Sequence, residues 1–137
     1  MDTYITRQQA MRRATAVIVL VAILNTIANL TSLYWTVSWF DIMMHYLAGF
    51  GIGFFLFMLF RPLFREAKRY QRILLILGFT IIIGVGWEVL EAWAGVQNTF
   101  SLEHLNDTRL DLIMDMIGAF TATFFITSKI GYFYAKQ

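Results

Sequence analysis

Four long apolar segments restrict this chain more than any other feature of its sequence. They cover residues 14–34, 41–60, 72–95 and 110–131. Each has roughly 20 residues, the length that an α-helix needs to cross a bilayer core of about 30 Å. In hydrocarbon only helices and closed barrels satisfy the backbone, and no alternation of period two runs through these segments. The sequence therefore predicts an all-α integral membrane protein, with residues 1–137 forming a single four-transmembrane-helix bundle.

The composition favours a membrane-embedded bundle over a soluble one. Hydrophobic residues make up 58% of the chain and charged residues 15%, whereas an ordinary soluble domain is about half apolar and about a quarter charged. The segments are apolar on nearly every face, unlike the helices of a soluble bundle. The N-terminal stretch begins like a signal peptide but lacks a convincing small-residue cleavage site, so we expect an uncleaved first helix. The absence of cysteine excludes disulfides and thiolate metal sites.

Lysine and arginine are divided unequally between the two sides of the predicted bundle. Ten of the eleven lie before the first helix, between the second and third helices, or near the C-terminus, and only Arg109 lies on the other side. The positive-inside rule places both termini in the cytoplasm, and we expect a multi-pass protein of the cell inner (plasma) membrane. Its expected partners are membrane lipids, with anionic headgroups at the basic loop of residues 61–72. Nucleic acid is not expected, and a homo-oligomer is left open.

Acidic residues accumulate at the opposite, extracytoplasmic end of the predicted bundle. Seven of the nine lie there, and three different helices contribute pairs whose spacing of three or four residues puts them on one helix face. Small residues extend the acidic faces of the third and fourth helices and allow close helix approach. We therefore expect the acids to point into the bundle. The pairs are Asp41 with His45, Glu88 with Glu91, and Asp111 with Asp115.

Carboxylates that meet in an apolar medium need protons, basic partners or a cation. Only His45, His104 and Arg109 are available as bases. Carboxylates with one or two imidazoles suit Mg²⁺, Mn²⁺ or Zn²⁺, so we expect a divalent metal ion. Simpler roles stay open, because Asp41, and Asp107 or Asp111, could each cap a helix. The expected metal ligands are Asp41, His45, Glu88, Glu91, Asp111 and Asp115.

Three motifs resemble those of the VanZ-like small membrane proteins and the related YjdF-like bacterial inner-membrane proteins. They are DIMMHYLAGF (41–50), GWEVLEAWAG (86–95) and NDTRLDLIMDMIGAF (106–120). The YjdF-like branch fits better, because it tends to carry Asp-Thr before the last motif. Glu91 and Asp115 stand where the VanZ pattern more often has Gln and Asn, which makes this site more acidic. The resemblance implies a bacterial or archaeal cell membrane and, for VanZ itself, reduced sensitivity to a glycopeptide antibiotic. It implies no settled reaction.

Three classes of function are compatible with these residues. The first is a metal-dependent membrane hydrolase or transferase that acts on a phosphate or ester of a lipid or cell-envelope intermediate. His45, Glu88 and Asp111 are its expected catalytic residues. The second is a proton or ion binding or transport protein, since acids and a histidine inside a bundle also form such sites. The third is a non-catalytic envelope scaffold or antibiotic-resistance accessory protein, in which the acids form an interhelical hydrogen-bonded knot.

Overall fold

The computed structural model describes residues 7–94 and 102–130, and the described part is helical without strands. Helix α1 spans Arg7–Leu30, the short α2 spans Leu33–Thr36, and α3 spans Phe40–Phe60. A 3₁₀ turn over Arg61–Phe64 follows α3, and the chain continues with α4, Arg69–Trp93, and α5, Leu102–Ile130. The four helices α1, α3, α4 and α5 are each long and apolar enough to cross a membrane. The all-α fold class with four spans, predicted from the hydropathy pattern, is confirmed.

Two helices extend beyond the apolar segments that predicted them. Helix α1 begins at Arg7 and ends at Leu30, and α5 begins at Leu102, whereas the apolar segments begin at residues 14 and 110. Hydropathy detects residues that suit lipid, but a helix continues through a polar stretch that still forms its backbone hydrogen bonds. Two of the predicted segments end at residues 95 and 131, and both residues lie outside the part of the chain that the structure describes.

Helix α3 is the centre of the bundle. It packs most extensively against α5 and also contacts α1 and α4, while α4 packs against α5. One buried cluster joins Phe57 of α3, Ile76 of α4 and Ala119 of α5, and a second joins Ala28 of α1 with Phe40 and Met44 of α3. The outward faces remain apolar and exposed, as lipid contact requires. Examples are Leu20, Ile23, Leu74, Ile82 and Val89.

The two ends of the bundle differ in charge. We call the end where α3 and α5 begin and α4 ends the acidic end, and the opposite one the basic end. At the basic end, Arg69 lies with its guanidinium carbon 4.4 Å from the ring centre of Phe124 and donates through Nε to Thr127 Oγ1 at 3.3 Å. These contacts join the start of α4 to α5. At the acidic end, the chain turns between α1 and α2 at Ser32, which adopts the left-handed conformation with φ 58°.

Candidate metal centre

The side chains at the acidic end meet because α3 and α5 approach very closely beneath them. Gly49 of α3 packs directly on Asp115 of α5, so that a Cβ on Gly49 would lie 2.6 Å from the Asp115 carbonyl carbon. No side chain fits at this crossing, which is the packing that small residues permit between membrane helices. His45 lies one helical turn from Gly49 and is therefore held against the start of the α5 span.

Asp41, His45 and Asp111 form a group that could hold a metal ion. His45 Nε2 lies 3.7 Å from Asp41 Oδ1 and 3.9 Å from Asp111 Oδ1. One candidate ligand atom from each residue lies within 4.8 Å of the other two. A divalent ion bound by imidazole and carboxylate sits about 2.0–2.2 Å from each ligand atom. Small side-chain rotations would bring the three atoms to that distance, so the donor set and spacing fit a cation.

Asp115 approaches the other ring nitrogen of His45, Nδ1. His45 Nδ1 lies 3.4 Å from Asp115 Oδ1, and Asp115 is buried, with 4% of its surface exposed. An Nδ1–H directed at this carboxylate leaves Nε2 as the acceptor nitrogen, the arrangement that orients many metal-binding histidines. Gly84 of α4 makes room for Asp115, since a Cβ at Gly84 would lie 2.7 Å from Asp115 Oδ2.

Asp111 is the most exceptional group of the site. Only 1% of its surface is exposed, and both carboxylate oxygens are buried without a hydrogen-bond partner. Burying a carboxylate in this way is costly unless a proton or a cation compensates it. Helix α5 begins at Leu102, so Asp111 lies well inside the helix. The alternative that Asp107 or Asp111 caps this helix is therefore wrong.

The helix-cap alternative for Asp41 is not supported either. Asp41 lies in the first turn of α3, but the N-cap residue is Trp39 and no side chain caps the helix. The Asp41 side chain, which is 30% exposed, instead approaches the imidazole of His45. Its position places it at the mouth of the site rather than at its buried centre.

The two glutamates of α4 point to different neighbours. Glu88 is buried at 7% exposure, and its Oε2 accepts a 2.7 Å hydrogen bond from the Thr108 hydroxyl of α5, while Oε1 has no hydrogen-bond partner. Glu91 Oε1 accepts a 2.8 Å hydrogen bond from Trp87 Nε1 on its own helix. Both lie within electrostatic range of Asp41, but neither belongs to the three-residue group.

A cavity of about 350 Å³ adjoins the site and is bounded by α1, α2, α3 and α4, with Asp115 contributed by α5. Asp41, His45, Glu91 and Asp115 contribute to its polar part, and most of its remaining wall is apolar. Asp111 and Glu88 do not line it. The imidazole of His45 therefore lies between the open cavity and the buried Asp111.

Tyr34 and Asn25 form a second polar pair in the cavity wall. The Tyr34 hydroxyl donates a 2.6 Å hydrogen bond to Asn25 Oδ1, and both residues line the cavity. Burial, followed by the negative charges of Asp41 and Glu91, raises the pKa of Tyr34 to about 12. The phenol therefore stays neutral and remains a hydrogen-bond donor near neutral pH.

The structure thus distributes the expected site residues over three positions. Asp41, His45, Asp111 and Asp115 come together around one imidazole, Glu91 faces the adjoining cavity, and Glu88 pairs with α5. Sequence reasoning did not anticipate the roles of Thr108 and Tyr34. Thr108 stands one helical turn before Leu112 on the α5 face towards α4, but spacing within α5 does not show which residue of α4 it meets.

The geometry can be compared with known proteins. Residues 5–130 match the family model described as "Predicted membrane protein (DUF2238)". The chain belongs to this family. The match covers all four spans, and together with their length and hydropathy it makes the chain a multi-pass membrane protein. Neither the curated proteins nor the solved structures contain a match to the chain.

Proposed function

We propose that this protein is a metal-dependent membrane hydrolase or transferase that acts on a phosphate or ester of a lipid or cell-envelope intermediate. One observation carries the proposal. The Asp111 carboxylate is buried without a hydrogen bond, 3.9 Å from an imidazole that also approaches Asp41. Buried carboxylates are normally hydrogen-bonded or paired with a cation, and carboxylate and imidazole together suit Mg²⁺, Mn²⁺ or Zn²⁺.

Asp41, His45 through Nε2, and Asp111 would hold the ion. When bound, a divalent cation polarises a phosphoryl or carbonyl oxygen and stabilises the charge that develops on it. Asp115 keeps the His45 ring in position through Nδ1, and its effect on the reaction is through that ring. The buried surroundings of Asp111 exclude bulk water from one side of the centre, which strengthens the attraction between the cation and its ligands.

The remaining acids supply charge and proton acceptors. Glu91 lines the cavity, so its carboxylate can accept a proton from a molecule bound there. Glu88 is covered by Thr108 and does not line the cavity, so we assign it an electrostatic role beside the centre. Within the proposal, the ligand set expected from sequence thus separates into three ligands, one positioning residue and two further carboxylates.

The placement in the cell is also part of the proposal. The division of lysine and arginine puts both termini in the cytoplasm, which makes the acidic end extracytoplasmic, and the VanZ-like and YjdF-like resemblance supports a bacterial inner membrane. Because the chain has no native cysteine, single cysteines at Ser38 and Ala67 can report the two ends of the bundle. An impermeant thiol reagent should label Ser38→Cys from outside and Ala67→Cys only after permeabilisation. Labelling of both from the same side would contradict this topology.

A second candidate is supported by the contacts of His45. Its ring nitrogens lie within 3.9 Å of three carboxylates, those of Asp41, Asp111 and Asp115. A protonated imidazole in this position would join α3 to α5 without a metal, as in a scaffold or a proton-binding protein. The two candidates make opposite predictions for metal binding.

Metal titration of the purified, metal-free protein separates them. We expect Mg²⁺, Mn²⁺ or Zn²⁺ to bind with a stoichiometry near one by calorimetry, and Asp111→Asn to lower the affinity at least 100-fold. Glu66→Gln, which removes one negative charge at an exposed position of the basic end, should bind as the wild type does. Metal-dependent cleavage of phosphate or ester lipids would then support the enzyme. If no metal binds and EDTA leaves the melting curve unchanged, the imidazole-centred scaffold is the better description.

A further inference from the structure

The cavity beside the candidate metal centre is lined mainly by α1, α3 and α4. We call α3 the floor and α1 and α4 the two walls, and the side between the two walls faces the membrane. Helix α3 forms the floor and packs against both α1 and α4. Over the described residues, α1 and α4 have almost no direct contact with each other, although both line the cavity. Ala22 and Ile83 face the cavity from the two walls, while their neighbours Ile23 and Ile82 are 50% and 67% exposed on the outer surface. The opening between the walls is therefore bordered by lipid-facing side chains.

The cavity lining changes from apolar to polar in the same direction on all three long helices. The polar part lies towards the acidic end, although α3 runs antiparallel to α1 and α4. On α3 the lining extends from Asp41 to Ile52, which are eleven residue steps apart, or about 16 Å at about 1.5 Å per residue. A cavity with an apolar depth and a polar mouth matches a molecule with a hydrocarbon chain and a polar head. The inner and outer limits are Ile18 and Thr26 on α1, Ile52 and Asp41 on α3, and Ile83 and Glu91 on α4.

The cavity volume limits the number of chains. A volume of about 350 Å³ lies near the lower end of the range of about 300–1,000 Å³ for small-molecule pockets. A space of this size suits one hydrocarbon chain of moderate length better than two parallel chains. The apolar lining, to which Met44 adds a flexible side chain, accepts such a chain without needing a fixed shape.

The polar mouth determines the head group. Two aromatic donors there already have acceptors in the protein: the Tyr34 hydroxyl donates to Asn25, and Trp87 Nε1 donates to Glu91. The carboxylates of Asp41 and Glu91 retain further acceptor positions. A head group that fits this end therefore brings its own donors, such as hydroxyl or ammonium groups, in addition to the phosphate or ester that would face the cation.

We propose that the cavity admits a single-chain amphiphile from the bilayer through the opening between α1 and α4, with its hydroxyl- or ammonium-bearing head at Asp41 and Glu91. This names the substrate class for the proposed function and rests on that function for the reaction, but binding of the chain can be measured without turnover. Ala22 and Ala48, small residues on the wall and the floor, would set how much of the chain the cavity accepts.

Photo-crosslinking of the full chain in phospholipid nanodiscs tests the binding. The probe is a lysophosphatidylethanolamine with a diazirine in the middle of its chain, and the comparison is a two-chain phosphatidylethanolamine with the same diazirine chain. We expect the single-chain probe to label Ile18 and Ile52 in the cavity at least five times more than the two-chain probe does. Both probes should label the outer residues Ile23 and Ile82 equally.

Two cavity-filling variants and one matched control complete the experiment. Ala22→Phe and Ala48→Leu fill the cavity from the wall and the floor, and at least one should lower cavity labelling fivefold while labelling of the outer surface is unchanged. Ala16→Phe, at an exposed position of α1 outside the cavity lining, should change neither. Cavity labelling that is absent, equal for the two probes, or unchanged by both variants overturns the inference.

The result is separable from that of the metal titration. Cavity labelling without metal binding would overturn the proposed reaction and leave the amphiphile-binding cavity in place. Metal binding with lipid turnover but without cavity labelling would overturn the lateral, single-chain entry and leave the proposed function in place.

Discussion

Gly49 offers a direct test of whether close packing of α3 on α5 holds the candidate metal centre together. In Gly49→Ala, the added Cβ would lie 2.6 Å from both Cα and the carbonyl carbon of Asp115, and the nearest contact is with its carbonyl oxygen. Ordinary van der Waals contact begins at 3.4 Å. The neighbouring atoms belong to the backbone and cannot rotate away. The two helices must therefore separate by about 1 Å.

This separation should act on stability and on the site together. Overpacking of a closely packed interior typically costs about 1–3 kcal/mol. The same shift would take His45 Nδ1 from 3.4 Å beyond hydrogen-bonding distance of Asp115 Oδ1. We therefore expect Gly49→Ala to lower the thermal midpoint and to weaken metal binding by about 10–100-fold, the range for loss of a residue that positions a ligand.

The matched control is Gly86→Ala on α4. No atom lies within 4 Å of a Cβ added at Gly86, so the same chemical change meets open space. This variant should keep the wild-type metal affinity and gain up to about 1 kcal/mol from the better helix propensity of alanine. Thermal unfolding in detergent and calorimetric metal titration of the two variants measure both effects. Wild-type stability and affinity in Gly49→Ala would show that the α3–α5 contact does not position the centre.

Three further substitutions test single interactions. Asp115→Asn should lower metal affinity about 10–100-fold while leaving the three ligands in place, which calorimetry measures; unchanged affinity would remove Asp115 from the centre. Thr108→Val takes away the 2.7 Å donor to Glu88 and should cost about 1–3 kcal/mol in chemical denaturation, so wild-type stability would show that this bond is not formed in the protein. The pKa of Tyr34 is raised to about 12 from 10.0, so its contribution to stability is present below pH 10 and lost as pH rises towards 12. Between pH 10 and pH 12, the thermal midpoint of Tyr34→Phe should therefore fall less than that of the wild type. An equal fall in the two proteins would refute the burial of this phenol beside Asn25.

The fold could be predicted from the sequence because lipid imposes a simple length and hydropathy rule on each span. Four apolar segments of about 20 residues leave few alternatives to four helices. The rule does not report where a helix ends in polar surroundings, which is why α5 begins at Leu102 rather than at residue 110. It also gave no sign of the separate short helix α2, which begins after the left-handed turn at Ser32.

Within the site, spacing along one helix was informative and contacts between helices were not. The four-residue intervals of Asp41 with His45 and of Asp111 with Asp115 place each pair on one face, and the two pairs do lie around the same imidazole. The pair Glu88 and Glu91 shows the limit of that reasoning, since an interval of three allows the side chains to diverge to α5 and to the cavity. Partners such as Thr108 depend on which faces meet, and this is determined by packing around Gly49 and Gly84.

Charge compensation is the strongest physical argument that connects the site to a ligand. Among the described residues, the ion pairs of these carboxylates involve only His45, and the side chain of Arg109 is exposed and forms none with them. One imidazolium can compensate one negative charge, but Asp41, Asp111 and Asp115 all approach the same ring. At an effective dielectric constant of about 20, two like charges 4 Å apart repel by about 4 kcal/mol, so three ionised carboxylates around one imidazole require either protons or a cation. Protons would leave the acids as a structural knot or as a proton-binding site. A cation would explain why the unpartnered Asp111 is buried while Asp41 and Glu91 face a space large enough for a bound molecule.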